Sequence, residues 1–349
     1  LAGDGLIHPR IESLQRSGRS CLPTTHKLLT KRGILSFDEV RVGDETLDMR
    51  NRWVKVTAKH FYKDAPVIRW ENDRCMVEST EEHRWVQRTE NTVRSVEPLN
   101  PTGNRRVLQL TPDAYPFDHR DLLYPQYMTE REIFAAVIGL LVTDGYCGTP
   151  SDRKAPKFRI YQTEGKFYDT FIKMLPPDWV TNDNSRFIGG CKTPLHEVSL
   201  KREILQPLLD EAGLDYSSSL RHSKTVFHWL ATLSQSETLA FITSVYLADG
   251  SIHAGTPVVS SLNKDMVPVF QIAAYRCGKR SKYGRYQNSR GDENGDIRFL
   301  RDRVNTRGLL VDEHKTEYTS DVWCVSTETG TFTAWYPEGK YSGPYLTGN

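Results

Sequence analysis

Two aspartates, Asp144 and Asp249, occupy equivalent positions in two similar segments, MTEREIFAAVIGLLVTDG (128–145) and SQSETLAFITSVYLADG (234–250). Each segment has a capping box in front of an apolar run and ends in an Asp-Gly pair, which predicts a helix that stops near the aspartate. The two aspartates are 105 residues apart. The segments therefore mark an internal repeat of about a hundred residues.

Small residues inside both predicted helices would bring the aspartates together. Gly139 and Ser244 hold corresponding positions, and small side chains let two helices approach closely. Two carboxylates that meet at the helix ends make an oxygen-rich site suited to Mg²⁺. A metal ion held there can activate water and stabilise a phosphate leaving group. Without such a pairing, the same residues describe two buried helices that end in ordinary Asp-Gly turns.

The stretches VIGLLVTDG (137–145) and ITSVYLADG (242–250) resemble the two copies of the LAGLIDADG motif of homing endonucleases. The resemblance implies an α+β domain with two pseudo-symmetric αββαββα-type halves, at about 128–225 and 234–317. It also implies cleavage of both strands of a double-stranded DNA target, with Mg²⁺ or another divalent ion as cofactor. The implied metal site consists of Asp144, Asp249 and the residues before them, Thr143 and Ala248.

In that family a four-stranded antiparallel sheet follows each motif helix and lies in the DNA major groove. Strand-like segments near 157–163, 186–200, 257–261 and 282–301 would form these sheets. Arg, Lys, Asn and Gln side chains can read base edges there. The candidates for DNA contact are Arg159, Gln162, Arg285, Gln287, Asn288 and Arg298. The candidates for a basic residue near each scissile phosphate are Lys201, Lys224, Lys279 and Lys282.

The charge distribution agrees with a localised DNA surface. From 276 to 307 the sequence has ten Lys and Arg against four Asp and Glu, although the net charge of the whole chain is only +2. Such a basic run is typical of a phosphate-facing surface, and equally of a solvated loop region.

Four segments resemble the sequence blocks of inteins. CLPTTHKLLTKRGILSFDEVRVGDETL (21–47) resembles the opening block and STEEHRWV (79–86) the second, while VWCVSTETGTF (322–332) and YLTGN (345–349) resemble the two closing blocks. The resemblance implies a β-rich, horseshoe-like Hint domain that excises itself from flanking extein segments. The implied steps are thioester formation, transesterification and cyclisation of Asn349, with no cofactor.

The resemblance also implies a role for each residue. The thiol of Cys21 would attack the carbonyl group of Ser20 and turn that amide into a thioester. His83 would donate a proton to the departing nitrogen, while Thr80 polarises the carbonyl. Asn349 would cyclise on its own backbone and release a downstream chain. Without the neighbouring blocks, Cys21 is better explained as a small buried residue, and His83 as a histidine of a turn.

The sequence departs from most inteins in three places. Gly348 stands where a histidine usually precedes the terminal asparagine, and the block at 322–332 lacks its usual histidine. Cys324 stands where most inteins have an aspartate.

A minority group, the class 3 inteins, carries a linked Trp-Cys-Thr set, and Trp85, Cys324 and Thr347 fall on its positions. That group lacks a nucleophile at the first position, whereas Cys21 is present here. Cys21 and Cys324 are therefore both candidates for the first nucleophile. Thr347 or water would have to assist Asn349.

The order of the strand-like segments along the chain suggests an interrupted domain. Short strand-like segments dominate after Cys21 and return near Val322, and an inserted domain in a surface loop explains this order. We expect a Hint domain at 21–118 joined with 318–349, interrupted by an endonuclease domain at 119–317. Residues 1–20 would be an upstream extein remnant or a tag.

The composition excludes several classes of protein. The chain has 349 residues, of which 38% are hydrophobic and 26% charged, as in ordinary globular proteins of two domains. No apolar run approaches the roughly 18 residues of a membrane helix, and no secretory signal opens the chain. We expect a cytoplasmic monomer without membrane contact. The six cysteines include no CxxC pair, which disfavours zinc, and a cytosolic chain of this size does not need disulfides.

The leading hypothesis is a bifunctional intein that splices itself and cuts an intein-less allele for homing. A splicing-inactive LAGLIDADG DNA-binding protein, an intron maturase and a cysteine protease are the alternatives. The presence of both aspartates argues against an inactive nuclease, and the splicing blocks argue against a maturase. No papain-like or caspase-like signature surrounds any cysteine.

Overall fold

A computed structural model of the chain describes residues 20–73, 75–88, 94–99, 107–148, 156–188, 192–217, 219–260, 265–287, 293–300, 303–305, 309–311, 314–337, 339 and 341–348. Over these residues the protein is rich in β-sheet and has few helices. Two candidate site residues, Asn288 and Asn349, lie outside the described residues, as does most of the segment 1–20.

The helices are α1 Glu130–Val142, α2 Arg202–Glu211, α3 Thr225–Leu230, α4 Gln235–Asp249 and α5 Val267–Arg276. The strands are β1 Leu22–Pro23, β2 Lys27–Thr30, β3 Gly33–Leu35, β4 Glu45–Leu47, β5 Trp53–Glu71, β6 Met76–Ser79, β7 Arg84–Arg88, β8 Arg94–Pro98, β9 Val107–Gln109, β10 Gly145–Gly148, β11 Lys157–Thr163, β12 Val180–Arg186, β13 Leu195–Leu200, β14 Gly250–His253, β15 Thr256–Val259, β16 Arg280–Gln287, β17 Glu293–Leu300, β18 Arg303–Asn305, β19 Lys315–Thr327, β20 Thr331–Tyr336 and β21 Gly343–Gly348.

The two ends of the chain together build three antiparallel sheets, called here the terminal module. One sheet has the order β1-β19-β5-β4, with β6 also paired to β5. The second has the order β21-β20-β2-β3, and the third β18-β9-β7-β8. The long strands β5 and β19 pair along most of their length, so segments more than 240 residues apart in sequence form one ladder.

The middle of the chain contains two similar halves, called here the helix-pair module. After α1 comes a sheet with the order β10-β11-β13-β12, and after α4 a sheet with the order β14-β15-β17-β16. The two sheets have the same connectivity, since in each the third and fourth strands exchange places. This is the structural counterpart of the sequence repeat.

Both repeat helices begin with the capping boxes expected from the sequence. The Thr129 side chain accepts the backbone N–H of Glu132, whose carboxylate accepts the N–H of Thr129 in return. Ser234 and Glu237 make the same pair of bonds at the start of α4. Each box satisfies two backbone donors that would otherwise be unpaired at the helix start. Every residue of α1 from Ile133 onward is buried, so the helix lies inside the protein.

One strand from the middle of the chain pairs with the terminal module. Strand β18 lies within the range expected for the inserted domain, yet it pairs with β9 of the terminal module. Val304 on that strand packs with Trp85 and Leu108, because its side chain completes the apolar cluster of that module.

The two modules share one hydrophobic core and a polar interface. Arg276, at the end of α5, is buried and donates to the carbonyl oxygens of Leu230 and Leu233, each at 2.8 Å. Its own carbonyl accepts the side-chain amide of Asn51 from the terminal module at 2.7 Å. Among the described residues, no helix is long and apolar enough to cross a membrane.

Candidate functional site

Helices α1 and α4 touch at Gly139 and Ser244. A Cβ atom on Gly139 would stand 2.0 Å from the Ser244 hydroxyl oxygen and 2.8 Å from the carbonyl oxygen of Phe241. Because no side chain fits at that point, a glycine is required there for the two helix backbones to approach so closely. The Ser244 hydroxyl donates to the same Phe241 carbonyl at 2.8 Å, which satisfies it within its own helix.

Both Asp-Gly pairs need their glycine because the chain folds back over the helix that it leaves. A Cβ on Gly145 would lie 2.5 Å from the Cα of Leu141, and one on Gly250 would lie 2.1 Å from the carbonyl oxygen of Tyr246. The glycines allow β10 and β14 to start directly after the aspartates. Each aspartate is therefore held between a helix end and the first strand of its sheet.

Asp144 and Asp249 meet at the ends of these helices, where each carboxyl group influences the pKa of the other. Burial and the neighbouring negative charge of Asp249 raise the pKa of Asp144 to about 7. Burial also raises the pKa of Asp249 above its ordinary value. Two like charges at this separation cannot both be ionised without a compensating cation, so near neutral pH the pair retains a proton.

Arg221 is a member of this site that sequence reasoning missed. It lies in the 3-10 turn Leu220–His222 between the two halves. Its positive charge lowers the pKa of both Asp144 and Asp249, against the larger effect of burial. A guanidinium group beside two carboxylates can also hold a phosphate oxygen, because it is always charged and donates in a fixed geometry.

The carboxylate pair fits a magnesium ion that takes its remaining ligands from water and substrate. Among the described residues, no group of three or more His, Cys, Asp and Glu side chains is placed to hold a metal. Mg²⁺ commonly binds through one or two carboxylates plus phosphate oxygens, so the pair is sufficient for it. The Thr143 hydroxyl donates to the Gly139 carbonyl at 2.9 Å and is engaged inside the helix. Ala248 has no polar side chain, so only main-chain oxygens of these two residues could serve as ligands.

The first four-stranded sheet separates two of the candidates for DNA contact. Arg159 lies on the outward face of β11 and pairs with Glu197 at 2.7 Å. Gln162 falls on the opposite face, together with the buried Phe158 and Ile160, because side chains alternate along a strand. Gln162 is half-buried on that face. Strand β12 adds polar and charged side chains that sequence reasoning did not single out, namely the exposed Asn182, Asn184 and Arg186.

The second sheet places its candidates in different surroundings. Arg298 is exposed on β17 and lies 3.8 Å from Asp296. Lys282 donates to the carbonyl oxygen of Asp73 and sits over the ring of Tyr341, so it contacts the terminal module. Arg285 is exposed near the ring of Tyr283, and of Gln287 only the backbone is described. Of the remaining lysines, Lys224 is exposed, while Lys201 and Lys279 are half-buried.

The terminal module brings Cys21 and Thr80 into direct contact, although 59 residues separate them. The Cys21 N–H donates to the Thr80 hydroxyl oxygen at 3.0 Å, and the Thr80 N–H donates to the Cys21 carbonyl at 3.0 Å. The nitrogen that would leave is thus held by Thr80. Thr80 thus bonds both to the amide nitrogen and to the carbonyl oxygen of Cys21, so its position favours fixing the amide.

His83 bridges the two ends of the module. Its Nδ1 lies 3.2 Å from the Ser20 hydroxyl oxygen, and its Nε2 lies 2.5 Å from the Thr347 hydroxyl oxygen. The ring packs edge-on against Trp85, with 5.1 Å between centroids. Burial lowers the pKa of His83 to about 3, so the imidazole is neutral near neutral pH. A neutral imidazole with a hydroxyl group at each nitrogen can accept a proton on one side and donate on the other.

Cys324 joins the same cluster from β19. Its Sγ lies 3.2 Å from the Sγ of Cys21, and both side chains are buried. The hydrogen bond with the Cys21 thiol lowers the pKa of Cys324, against the opposing effect of burial. Both candidate nucleophiles therefore stand side by side.

A network of hydrogen-bonded side chains lies next to this cluster, and the sequence analysis did not identify it. His26 hydrogen-bonds through Nε2 to the Glu78 carboxylate at 2.9 Å and through Nδ1 to the Tyr345 hydroxyl. Glu78 also accepts the Tyr318 hydroxyl at 2.6 Å. The ring of Tyr345 stacks on Trp85. This network thus fixes β21, the strand that carries Thr347, against the segment that carries His83.

Comparison with known proteins gives matches to solved structures only. No family model matches the sequence, and no curated protein matches it. A crystal structure of I-DmoI in complex with DNA and Mn matches at 15% sequence identity with a TM-score of 0.32, covering 48% of this chain and 89% of that chain. The complex of I-DmoI with DNA and Ca matches at 15% identity with a TM-score of 0.31, covering 48% and 83%. I-DmoI is described there as a homing endonuclease. A TM-score of this size does not establish a common fold.

Proposed function

We propose that the helix-pair module hydrolyses phosphodiester bonds of double-stranded DNA with a divalent cation at Asp144 and Asp249. The observation that carries this proposal is the contact at Gly139 and Ser244, which brings two carboxylates from equivalent positions of the repeat into one polar site. Burial of two like charges destabilises the folded protein unless a ligand compensates for them. A pair of helices with a purely structural role is therefore not expected to bury two carboxylates.

The roles of the residues follow from their surroundings. Asp144 and Asp249 would hold the cation once their shared proton has left, and the cation supplies water activation and stabilisation of the leaving oxygen. Arg221 would orient a phosphate oxygen and favour loss of the shared proton from the two carboxyl groups. The outward faces of the two sheets would bind the duplex, with Arg159, Arg298 and the polar side chains of β12 in contact with it. Each aspartate would serve one DNA strand.

The test of the nuclease is cleavage of DNA from the uninterrupted host gene by the purified full chain, with and without Mg²⁺. Asp144→Asn and Asp249→Asn remove a charged oxygen ligand without changing side-chain size. We expect each to abolish double-strand cleavage while leaving DNA binding largely intact. Full cleavage by the double variant would overturn the proposal, whereas Asp178→Asn at an exposed position should cleave as the parent does.

We propose as a second function that the terminal module splices itself from flanking extein segments. The observation in favour is the convergence of Cys21, Thr80, His83 and Thr347 from three distant segments of the chain. The Cys21 sulfur would bond to the Ser20 carbonyl carbon as the Ser20–Cys21 C–N bond breaks, and His83 would pass the thiol proton to the leaving nitrogen. The acyl group would then move to a second nucleophile. The side-chain nitrogen of Asn349 would attack the backbone carbonyl carbon of Asn349, the peptide bond to the downstream extein would break, and the leaving amine would take up the proton.

The splicing proposal is tested by cleavage after Ser20 when an external thiol is added, since the released segment 1–20 is readily followed by mass spectrometry. His83→Ala should slow this cleavage by about 10² or more, the usual contribution of a general acid–base group. His228→Ala is a matched control because that ring is exposed and bonds only weakly to a carbonyl outside the cluster, at 3.3 Å. Equal cleavage rates in the two variants would contradict the role of His83, and absence of cleavage in the parent protein would favour a splicing-inactive DNA-binding protein.

A further inference from the structure

We propose that Cys21 and Cys324 form a reversible disulfide that blocks both candidate nucleophiles of the splicing centre. The consequence for splicing rests on the proposed splicing function, whereas formation of the bond rests only on the geometry of the two thiols.

The two strands that carry the thiols are already paired. Leu22 lies opposite Trp323, and Pro23 lies opposite Val322, in an antiparallel ladder. The next facing positions of this register are Cys21 and Cys324. Facing residues of antiparallel strands have Cα atoms about 4.5 to 5.5 Å apart, which lies within the range of about 4.4 to 6.8 Å that a disulfide needs.

The sulfur atoms need only a small movement to bond. Their separation is 3.2 Å, and a disulfide bond is about 2.05 Å long. Neither thiol is in a disulfide. The other described cysteines, Cys75, Cys147 and Cys277, are also buried, but burial raises the pKa of each of their thiols. Cys324 differs from these three, because its hydrogen bond with the Cys21 thiol lowers its pKa.

A small disulfide such as oxidised glutathione can serve as the oxidant. Cys324, the more exposed of the two, loses its proton and attacks one sulfur of the reagent, and one glutathione thiolate leaves. Cys21 then loses its proton and attacks the Cys324 sulfur, and the second glutathione leaves. Two thiols of the protein are oxidised, one disulfide of the reagent is reduced, and the two protons end on the two glutathione molecules.

Oxidation of this pair would stop splicing by either route. A thioester needs a free thiol at Cys21 or at Cys324, and the disulfide consumes both at once. A reductant restores both thiols, so the block is reversible. Because the bond would form inside the nucleophile cluster, it needs no movement of the helix-pair module.

The experiment uses the full chain, equilibrated in glutathione buffers from fully reduced to fully oxidised and then quenched with an alkylating agent. Peptide mapping detects a Cys21–Cys324 linked peptide without reference to any activity. In parallel, cleavage after Ser20 is induced in each buffer with hydroxylamine, which does not reduce disulfides. We expect the linked peptide to accumulate with oxidation and to disappear with a phosphine reductant, and cleavage to fall at least tenfold in the oxidised form.

The two readouts separate the possible failures. Absence of the linked peptide in the oxidised buffer overturns the inference, whatever the splicing activity. A linked peptide in a protein that never cleaves when reduced contradicts the proposed splicing function but leaves the disulfide established. Cys75→Ala is the matched control and should oxidise and lose cleavage as the parent does. If Cys324→Ala loses cleavage on oxidation to the same extent, the block has another cause.

Discussion

Gly139 stands directly against Ser244, with no space for even a methyl group between them. This contact sets the distance between α1 and α4, and the helices carry Asp144 and Asp249 at their ends. The spacing of the two carboxylates therefore depends on a residue that takes no part in the chemistry.

Replacement of Gly139 by alanine should force the helices apart. We expect Gly139→Ala to lower the free energy of unfolding by about 1 to 3 kcal/mol, the usual cost of overpacking a core. DNA cleavage should fall further than stability does, because the carboxylates separate. Gly165→Ala is the control, since a Cβ there meets nothing within 4 Å. Denaturant unfolding of both variants measures the difference, and equal stabilities would contradict the close contact.

The aspartate pair should make the protein less stable at alkaline pH when divalent ions are removed. The folded-state pKa of Asp144 is raised to about 7, above its unfolded value, so the folded state binds the extra proton. The associated stability is fully present below about pH 4 and is lost as the pH rises through about 7. Asp144→Asn should remove this dependence and stabilise the protein by about 1 to 3 kcal/mol at pH 8 in a chelator.

Thermal unfolding at pH 4 and pH 8 measures this effect. The gain from Asp144→Asn should be near zero at pH 4 and largest at pH 8, and added Mg²⁺ should stabilise the parent protein and not the variant. Asp178→Asn, at a position 90% exposed, should show no such dependence. A gain independent of pH would mean that the two carboxyl groups are not coupled.

Arg221 should determine the pH range in which the site works. Its charge lowers the pKa of both aspartates, so its removal raises their pKa values and shifts Mg²⁺-dependent cleavage to higher pH. We expect Arg221→Ala to reduce cleavage at neutral pH by about tenfold to a hundredfold, with partial recovery at alkaline pH. Arg221→Lys keeps the charge and should retain the pH profile. A uniform loss at every pH in both variants would indicate a purely structural role.

DNA binding should depend on salt through the outward face of the sheets. Arg298 is exposed there, and a phosphate contact made by it would release counterions. We expect Arg298→Ala to weaken binding and to reduce the slope of log affinity against log salt by about one. Lys63→Ala removes an exposed charge of the terminal module and should leave the slope unchanged. Affinity that does not vary with salt would contradict a phosphate-contacting surface.

Local signals explain which features could be predicted from the sequence. The capping boxes, the apolar runs and the Asp-Gly pairs define α1 and α4 within a few residues, because each signal acts inside its own helix. The proximity of Asp144 and Asp249 followed from the repeat. Strand β18 could not be assigned to the terminal module, because its partner β9 is nearly 200 residues away and no local pattern encodes that pairing.

The missed residues depend on contacts across the fold. Arg221 reaches the carboxylates from a short turn whose sequence shows no regular pattern. Gln162 was assigned to the DNA face because its residue type suits base reading, but the alternation of β11 places it beside Phe158 and Ile160. His26 and Glu78 are 52 residues apart and hydrogen-bond only when the residue before β2 packs against β6.

The order of attack by the two thiols is the remaining prediction, and it rests on their positions relative to Ser20. Cys21 adjoins the scissile carbonyl, so its attack closes a five-membered ring and needs little positional entropy. Cys324 is held beside it by the pairing of β1 with β19, with 3.2 Å between the sulfur atoms, so it can receive the acyl group from Cys21. We therefore expect Cys21 to react first and Cys324 to form a second thioester.

Thiol-induced cleavage after Ser20 in two single variants distinguishes the routes: Cys21→Ala should lose cleavage, while Cys324→Ala should retain the first thioester and release segment 1–20. If Cys21→Ala cleaves at the parent rate and Cys324→Ala does not, Cys324 attacks the Ser20 carbonyl directly, and the thiol of Cys21 serves only as its hydrogen-bond partner.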